Sequence, residues 1–439
     1  MKTEDLFLRA EQNHNGCFTR LILQLRFYLL TLSLILFCQP HLLSQDDEVA
    51  LSLRKAEGEF QNGNWAEALK IYQRLAANRP DSVPAQVGMA SSLVKLKDYP
   101  PAIIAFHRAL KISPYLSRVQ GALADTYDKN RQPDEAIKWY QKAIKSFYGK
   151  APLPWYVSLG IIEAKQGDLD QARRYYTVAA QLYPKSVPVY QNLGTVLLRQ
   201  NRLDEADACF YTALELNPQF DPAFFGRGEV AKKTGNLIEA QRLYEAAIRL
   251  NSGDSAYRYV YAQVLLQSGK IKEGKQELQK ARRLKSEYHL QHAHRLAQQK
   301  DWQETLRYLK LSVDADPTLV EAVQDLAYLQ TQLDDLTAAE STLSLGLLNK
   351  PNWAPGYWQR GKIKKRISDF VGAESDFRKA IKLSPDAAPP KISLAKLLVE
   401  TGKNLDQALE LAQTAIEIDP KPEFQEVMKM IRKQTESEK

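Results

Sequence analysis

The sequence predicts an all-α solenoid of stacked helix pairs, and three observations carry that expectation. Prolines that close an apolar-periodic stretch fall at Pro80, Pro114, Pro184, Pro218, Pro317, Pro351, Pro385 and Pro420, most of them 34 residues or a near multiple apart. Small residues recur twelve and five positions before most such points, and an aromatic usually stands eight before them. The pattern occupies nearly everything after residue 46, so no stretch is left for a separate catalytic domain. A fixed period of roughly 20–50 residues marks repeat arrays, in which each unit buries its apolar face against its neighbours.

In chain order, residues 1–45 read first, as an export signal or an N-terminal membrane anchor. Arg26 is followed by nineteen residues without a formal charge, Phe27 to Gln45. The densest apolar part, Phe27 to Phe37, is short for a spanning helix and suits a signal-peptide core of roughly 7–15 residues. Arg20 and Arg26 precede it, and Asp46, Asp47 and Glu48 follow, which orients the N-terminus to the cytoplasm and the rest outside it. Cleavage near Ser44 or Gln45, retention as an anchor in a thin membrane, lipidation at Cys38, and a buried apolar helix stay open as alternatives. Phe37 is bulkier than the small residue that lipidation usually follows. The leader before the apolar run is long, which leaves the true start codon open, at Met1 or downstream of it. The three cysteines, Cys17, Cys38 and Cys209, form no CxxC pair, which excludes a disulfide scaffold and a thiolate zinc site.

The repeat follows. Its later small, aromatic and small positions, such as Ala206, Phe210 and Ala213, are separated by four and three residues and share one helix face. An earlier Gly or Ala (Ala90, Ala124, Gly160, Gly194, Gly228, Ala262, Ala327, Gly361) belongs to a preceding helix, joined by a turn that carries Gly63, Gly167, Gly235 or Gly269. Small residues let the paired helices approach, while the aromatic fills the groove to the next unit. Pro84, Pro188, Pro222, Pro355 and Pro389 each open a helix, where the missing N–H costs nothing.

In the unit that starts near Val187, the residues Tyr190, Leu193, Gly194, Ala206, Phe210, Ala213 and Pro218 stand in the order of a known family. The chain here resembles the tetratricopeptide repeat (TPR) proteins. The resemblance covers about 47–420 and implies a right-handed solenoid of eleven units. Residues 46–286 would be units 1–7, residues 287–420 units 8–11, and residues 421–439 a polar-faced capping helix. Unit 8 departs from the pattern: it is about three residues short, with Thr305, Leu309 and Ser312 in place of Ala, aromatic and Ala. Ser286 to His294 therefore reads as a break in register or a soft joint between units 1–7 and 8–11.

Signals of chemistry are sparse. The chain carries 60 Lys and Arg against 52 Asp and Glu, a net +8 read as spread along its length, which permits an acidic partner without demanding one. Gly269 to Gln276 fits GxxxxGK, but Gln276 replaces the Ser or Thr that would hold magnesium, and both glycines sit at repeat positions. His289, His292 and His294 lack a convincing third ligand, so neither a metal nor a cofactor is expected. No HExxH, GxSxG or GxGxxG occurs, and an enzyme is not expected.

The resemblance implies that the first helix of each unit lines the concave side of the superhelix. Alignment of the units then makes Asn192, Phe225, Tyr259, His294, Tyr328, Trp358, Lys362 and Lys365 candidate contacts for a protein or peptide partner. The family's clamp for C-terminal carboxylates does not fit. Asn192 matches it, but Val157, Ile161, Phe225 and Glu229 stand where Lys, Asn, Lys and Arg are needed. A basic strip, Lys362, Lys364, Lys365 and Arg366, suits an acidic or phosphate-bearing ligand. Nucleic acid is not expected, because no aromatics are interleaved with that strip. The expected function is a non-enzymatic scaffold exported to the bacterial periplasm or cell envelope. The alternative is a membrane-anchored accessory subunit of a polysaccharide or glycosyl-transfer system, with glycan as a ligand and membrane contact through residues 27–45.

Overall fold

The computed structural model describes residues 45–437; residues 1–44, which carry the expected export signal with Cys17 and Cys38, lie outside the described residues. Twenty-two helices and no strand are present among the described residues, and none of these helices is long and apolar enough to cross a membrane. The chain divides into two compact units between Leu182 and Tyr183. The first holds four helix pairs, from Gln45–Gln61 with Trp65–Asn78 to Leu153–Gln166 with Leu169–Leu182. The second opens with Val187–Arg199 and Leu203–Leu216 and ends with Ala388–Glu400, Leu405–Ile418 and a last helix, Pro422–Ser437.

Close approach within each pair follows from the small residues. Ala68, Ala102, Ala136, Ala172, Ala206, Ala240, Ala339, Ala373 and Ala408 are all fully buried. The aromatic sits in space that a Cβ would occupy. A methyl group built on Gly194 would lie 2.7 Å from the Phe210 ring, and one on Gly226 would lie 2.6 Å from it. Phe210 is thus gripped between the first helix of its own unit and the first helix of the next. The same contact joins Gly160 to Tyr176, Gly228 to Tyr244 and Gly361 to Phe377. Where the ring is a tyrosine, its hydroxyl can donate back to the first helix: Tyr244 to Glu229 at 2.5 Å, and Tyr140 to Asp125. Burial and then the adjacent carboxylate push both phenols far above their ordinary value, so they remain donors.

The turn inside each pair, the last of which has a second such residue in Asn404, contains a residue with positive φ at one repeating place: Gly63, Lys97, Arg131, Gly167, Asn201, Gly235, Gly269, Lys300, Asp334, Ser368 and Gly402. Successive members are 34 residues apart except twice, at 36 from Arg131 to Gly167 and 31 from Gly269 to Lys300. Six are not glycine, and each tolerates a left-handed backbone that costs about 1–2 kcal/mol.

The 31-residue interval has a structural cause. Ser286 to His294, expected to be a break or soft joint, is the interior of one continuous 28-residue helix, Ile271–Gln298. Its first half pairs with Ser255–Gln267 and its second half with Trp302–Ala315. Ser286 stands where other units place proline, and Ala281 to Leu290 contains no Gly, Pro or Asn to stop a helix. Ser286 and Ser312 are fully buried. The Ser312 hydroxyl donates to the Ser286 carbonyl at 2.8 Å and lies 2.9 Å from the Ser286 hydroxyl. Serine replaces alanine here with its hydroxyl satisfied, so the substitution keeps the close approach. The compact division falls at Leu182, far from this helix.

The final helix lays Phe424, Val427, Met428 and Ile431 onto the cluster formed by Leu394, Leu397, Leu398, Ala412 and Ala415. Lys429, Arg432 and Lys433 face outward.

Candidate partner-binding groove

Two helices of the second compact unit, Val320–Gln332 and Ala354–Arg366, are the first helices of adjacent repeats. Gln324, Tyr328 and Gln332 recur every four residues on one, and Trp358, Lys362 and Arg366 recur every four on the other. That spacing puts each trio on a single face. The two stripes line one cavity of about 400 Å³, with Ala327, Leu343 and Ile363 as its apolar floor and Thr331 and Gln359 at its sides.

The side chains in this cavity are held in different ways. Trp358 is half-buried, and its Nε1 donates to Ser393 Oγ at 2.9 Å, which fixes the indole plane. Lys362 places its ammonium 4.8 Å from the centroid of that indole, a cation–π contact. Tyr328 is 67% exposed. Around them, most cations are already matched. Arg360 forks onto nearly buried Asp376 at 2.8 and 2.7 Å, and Lys364 reaches the same carboxylate at 3.3 Å. Lys365 pairs with Glu400 at 2.6 Å and Arg366 with Asp334 at 2.9 Å. Among the described residues Lys362 has no carboxylate partner, so its charge faces the cavity unmatched.

Of the eight residues expected to form a groove, the structure brings together Tyr328, Trp358 and Lys362. The other five stand apart. Phe225 stacks on Tyr257 at 4.7 Å and tilts against Tyr244 at 5.5 Å, so its ring serves packing. His294 is bound to Asp325 at 2.7 Å, and Lys365 is held by Glu400. Tyr259 is 48% exposed on Ser255–Gln267, and Asn192 is half-buried on Val187–Arg199. The amides of Gln324, Gln332 and Gln359 were missed by sequence reasoning, although the four-residue spacing of the first two around Tyr328 could have flagged them.

Other candidate chemistry resolves into packing. Gly269 closes a turn at φ +78°, and a Cβ on Gly274 would lie 3.1 Å from the carbonyl oxygen of Ala262, so the GxxxxGK match is repeat geometry. His292 lies tilted against Tyr308 at 4.4 Å while His294 turns to Asp325, and no cluster of three or more His, Cys, Asp or Glu among the described residues is placed to hold a metal. Burial, then Glu205, pushes the Cys209 thiol up to about 11, which keeps it protonated near neutrality.

Comparison with known proteins follows the same periodicity. Two family profiles, both described as tetratricopeptide repeat, match residues 53–117, 122–187 and 225–288 and residues 163–226, 296–359 and 368–431. No curated protein matches the chain. Among solved structures, the C-terminal part of a TPR repeat-containing protein from Cytophaga hutchinsonii is 21% identical, with a TM-score of 0.44, over 62% of this chain and 99% of that one. YrrB, a TPR protein with an unusual peptide-binding site, is 18% identical, with a TM-score of 0.39, over 46% of this chain and 98% of that one. PilF of Pseudomonas aeruginosa is 16% identical, with a TM-score of 0.42, over 50% and 98%.

Proposed function

The chain belongs to the tetratricopeptide repeat family, and from that premise we propose that it is a non-enzymatic scaffold of the bacterial cell envelope that holds a protein partner against Tyr328, Trp358 and Lys362. Its repeats make it a protein–protein interaction scaffold, and the TPR fold is typically non-catalytic. One observation supports the position: a fixed indole, an exposed phenol and an unmatched ammonium line the same cavity beside free amides. Aromatic anchors with amide donors suit an extended peptide, whose backbone can bond to the glutamines while a side chain fills the apolar floor. Lys362 favours a partner that carries a carboxylate at that point.

The test is capture from cells with the intact chain and with a Tyr328→Ala/Trp358→Ala variant of unchanged helicity. Loss of a discrete protein partner supports the reading, and undiminished capture contradicts it. Loss that follows glycan digestion instead would favour the glycosyl-transfer alternative. Export rests on the sequence of residues 27–45, and N-terminal sequencing with intact mass tests it. A start near Gln45 or Asp46 in the soluble envelope fraction agrees with a released scaffold. An intact N-terminus in the membrane fraction agrees with a tethered one, and a full chain soluble in the cytoplasm contradicts export.

A further inference from the structure

The missing inter-unit turn within Ile271–Gln298 leaves a cleft. An open cavity of about 770 Å³ spans from the turn at Ser252 to the turn at Asp316 and Thr318, with Arg258, Lys280 and Arg283 on its wall. A second cavity of about 720 Å³ shares Gln279, Asp316 and Thr318 with the first and adds Lys275 and Arg282. Neither touches Tyr328, Trp358 or Lys362, so this site stands independently of the groove.

The net charge of the chain is concentrated here. Lys270 to Lys285 contains seven lysines and arginines against two glutamates, a local excess of five beside +8 for the whole chain. Nearby carboxylates absorb part of it, and Asp314 and Asp316 line the second cavity as well. Glu277 is shared by Arg258 at 2.9 Å and Lys280 at 2.8 Å, and Arg283 meets Glu287 at 2.7 Å. Asp316 accepts from the N–H and hydroxyl of Thr318 at 3.0 and 2.6 Å. Lys275 and Arg282 have no carboxylate partner among the described residues.

We propose that this cleft is a second docking site, and that it takes an acidic, extended segment of a protein partner. The unmatched Lys275 and Arg282 meet its carboxylates, Lys280 and Arg283 add positive potential from their pairs with Glu277 and Glu287, Gln276 and Gln279 bond to its backbone, and Leu278 and Leu284 receive the methylenes. No aromatic side chain lines either cavity, so stacked bases and pyranose rings find no platform, which favours a peptide over a nucleic acid or a glycan.

The probe is a fluorescein-labelled decapeptide of glutamate and aspartate, titrated by anisotropy against the full-length chain in a neutral detergent. Binding is expected to weaken with added salt. In the variant Lys280→Gln/Arg282→Gln/Arg283→Gln it is expected to weaken about tenfold or more, with helicity unchanged. The variant Lys429→Gln/Arg432→Gln/Lys433→Gln, which makes the same change in net charge on the last helix, is expected to retain full affinity. Equal affinity in the first variant, an equal loss in the second, or equally tight binding of a single-stranded oligonucleotide of matched charge overturns the proposal.

Discussion

The repeat at Val187–Leu216 and the two repeats that share Ile271–Gln298 are written from one pattern and end differently. In the first, Pro218 follows the helix and a new helix starts at Asp221. In the second, serine stands at the same point and the helix runs on through it. The side-chain changes in the shared region are tolerated: Leu309 replaces the aromatic and Ser312 the alanine, and both are still buried. Loss of the turn residues is what alters the architecture. Packing positions thus fix how a unit pairs, while turn chemistry fixes whether a unit ends. The same loss opens the cleft at Arg258, Lys280 and Arg283.

Substitutions can break this contrast from either side. Phe210→Ala should cost the most, about 3–5 kcal/mol, because the ring is 1% exposed and gripped by two glycines. Hydrogen exchange should show protection lost in Leu203–Leu216 and in the first helices on both sides of it. Ser286→Pro restores the usual punctuation but should destabilise by about 3 kcal/mol or more, since it removes an internal N–H donor and clashes with the preceding turn of the helix. A harmless Ser286→Pro would show that this segment is a joint after all. Gly194→Ala adds a methyl group 2.7 Å from the Phe210 ring, and overpacking of about 1–3 kcal/mol is expected in a denaturant titration. Lys300→Gly is the smallest effect and has the opposite sign. Relief of positive φ outweighs the added chain entropy, for a gain of about 0.5–1 kcal/mol in thermal unfolding.

These positions also show what the sequence could disclose. The all-α class and the 34-residue period were legible because prolines, buried alanines and close-approach glycines are demanded by backbone geometry, and few residues substitute for them. The turn residues Lys97, Arg131, Asn201, Lys300, Asp334 and Ser368 were not legible, since a modest strain lets almost any residue occupy the place. The continuous helix left only a negative trace, an absent proline and a three-residue deficit. Tyr328, Trp358 and Lys362 could be found by aligning units. Which cations remain unmatched could not, because Asp376, Glu400 and Asp334 come from neighbouring helices or turns, 12 to 35 residues away in sequence. For the same reason the basic strip looked like one patch, although only Lys362 faces the cavity without a partner.

The most direct test of the account is site-specific photo-crosslinking in living cells, with a benzophenone amino acid at position 328 and, separately, at Val371, which is 73% exposed on a second helix. The account predicts a discrete protein adduct from position 328 that disappears when Trp358→Ala is added, and no such adduct from position 371. The same adduct from both positions, or none from position 328, would contradict it.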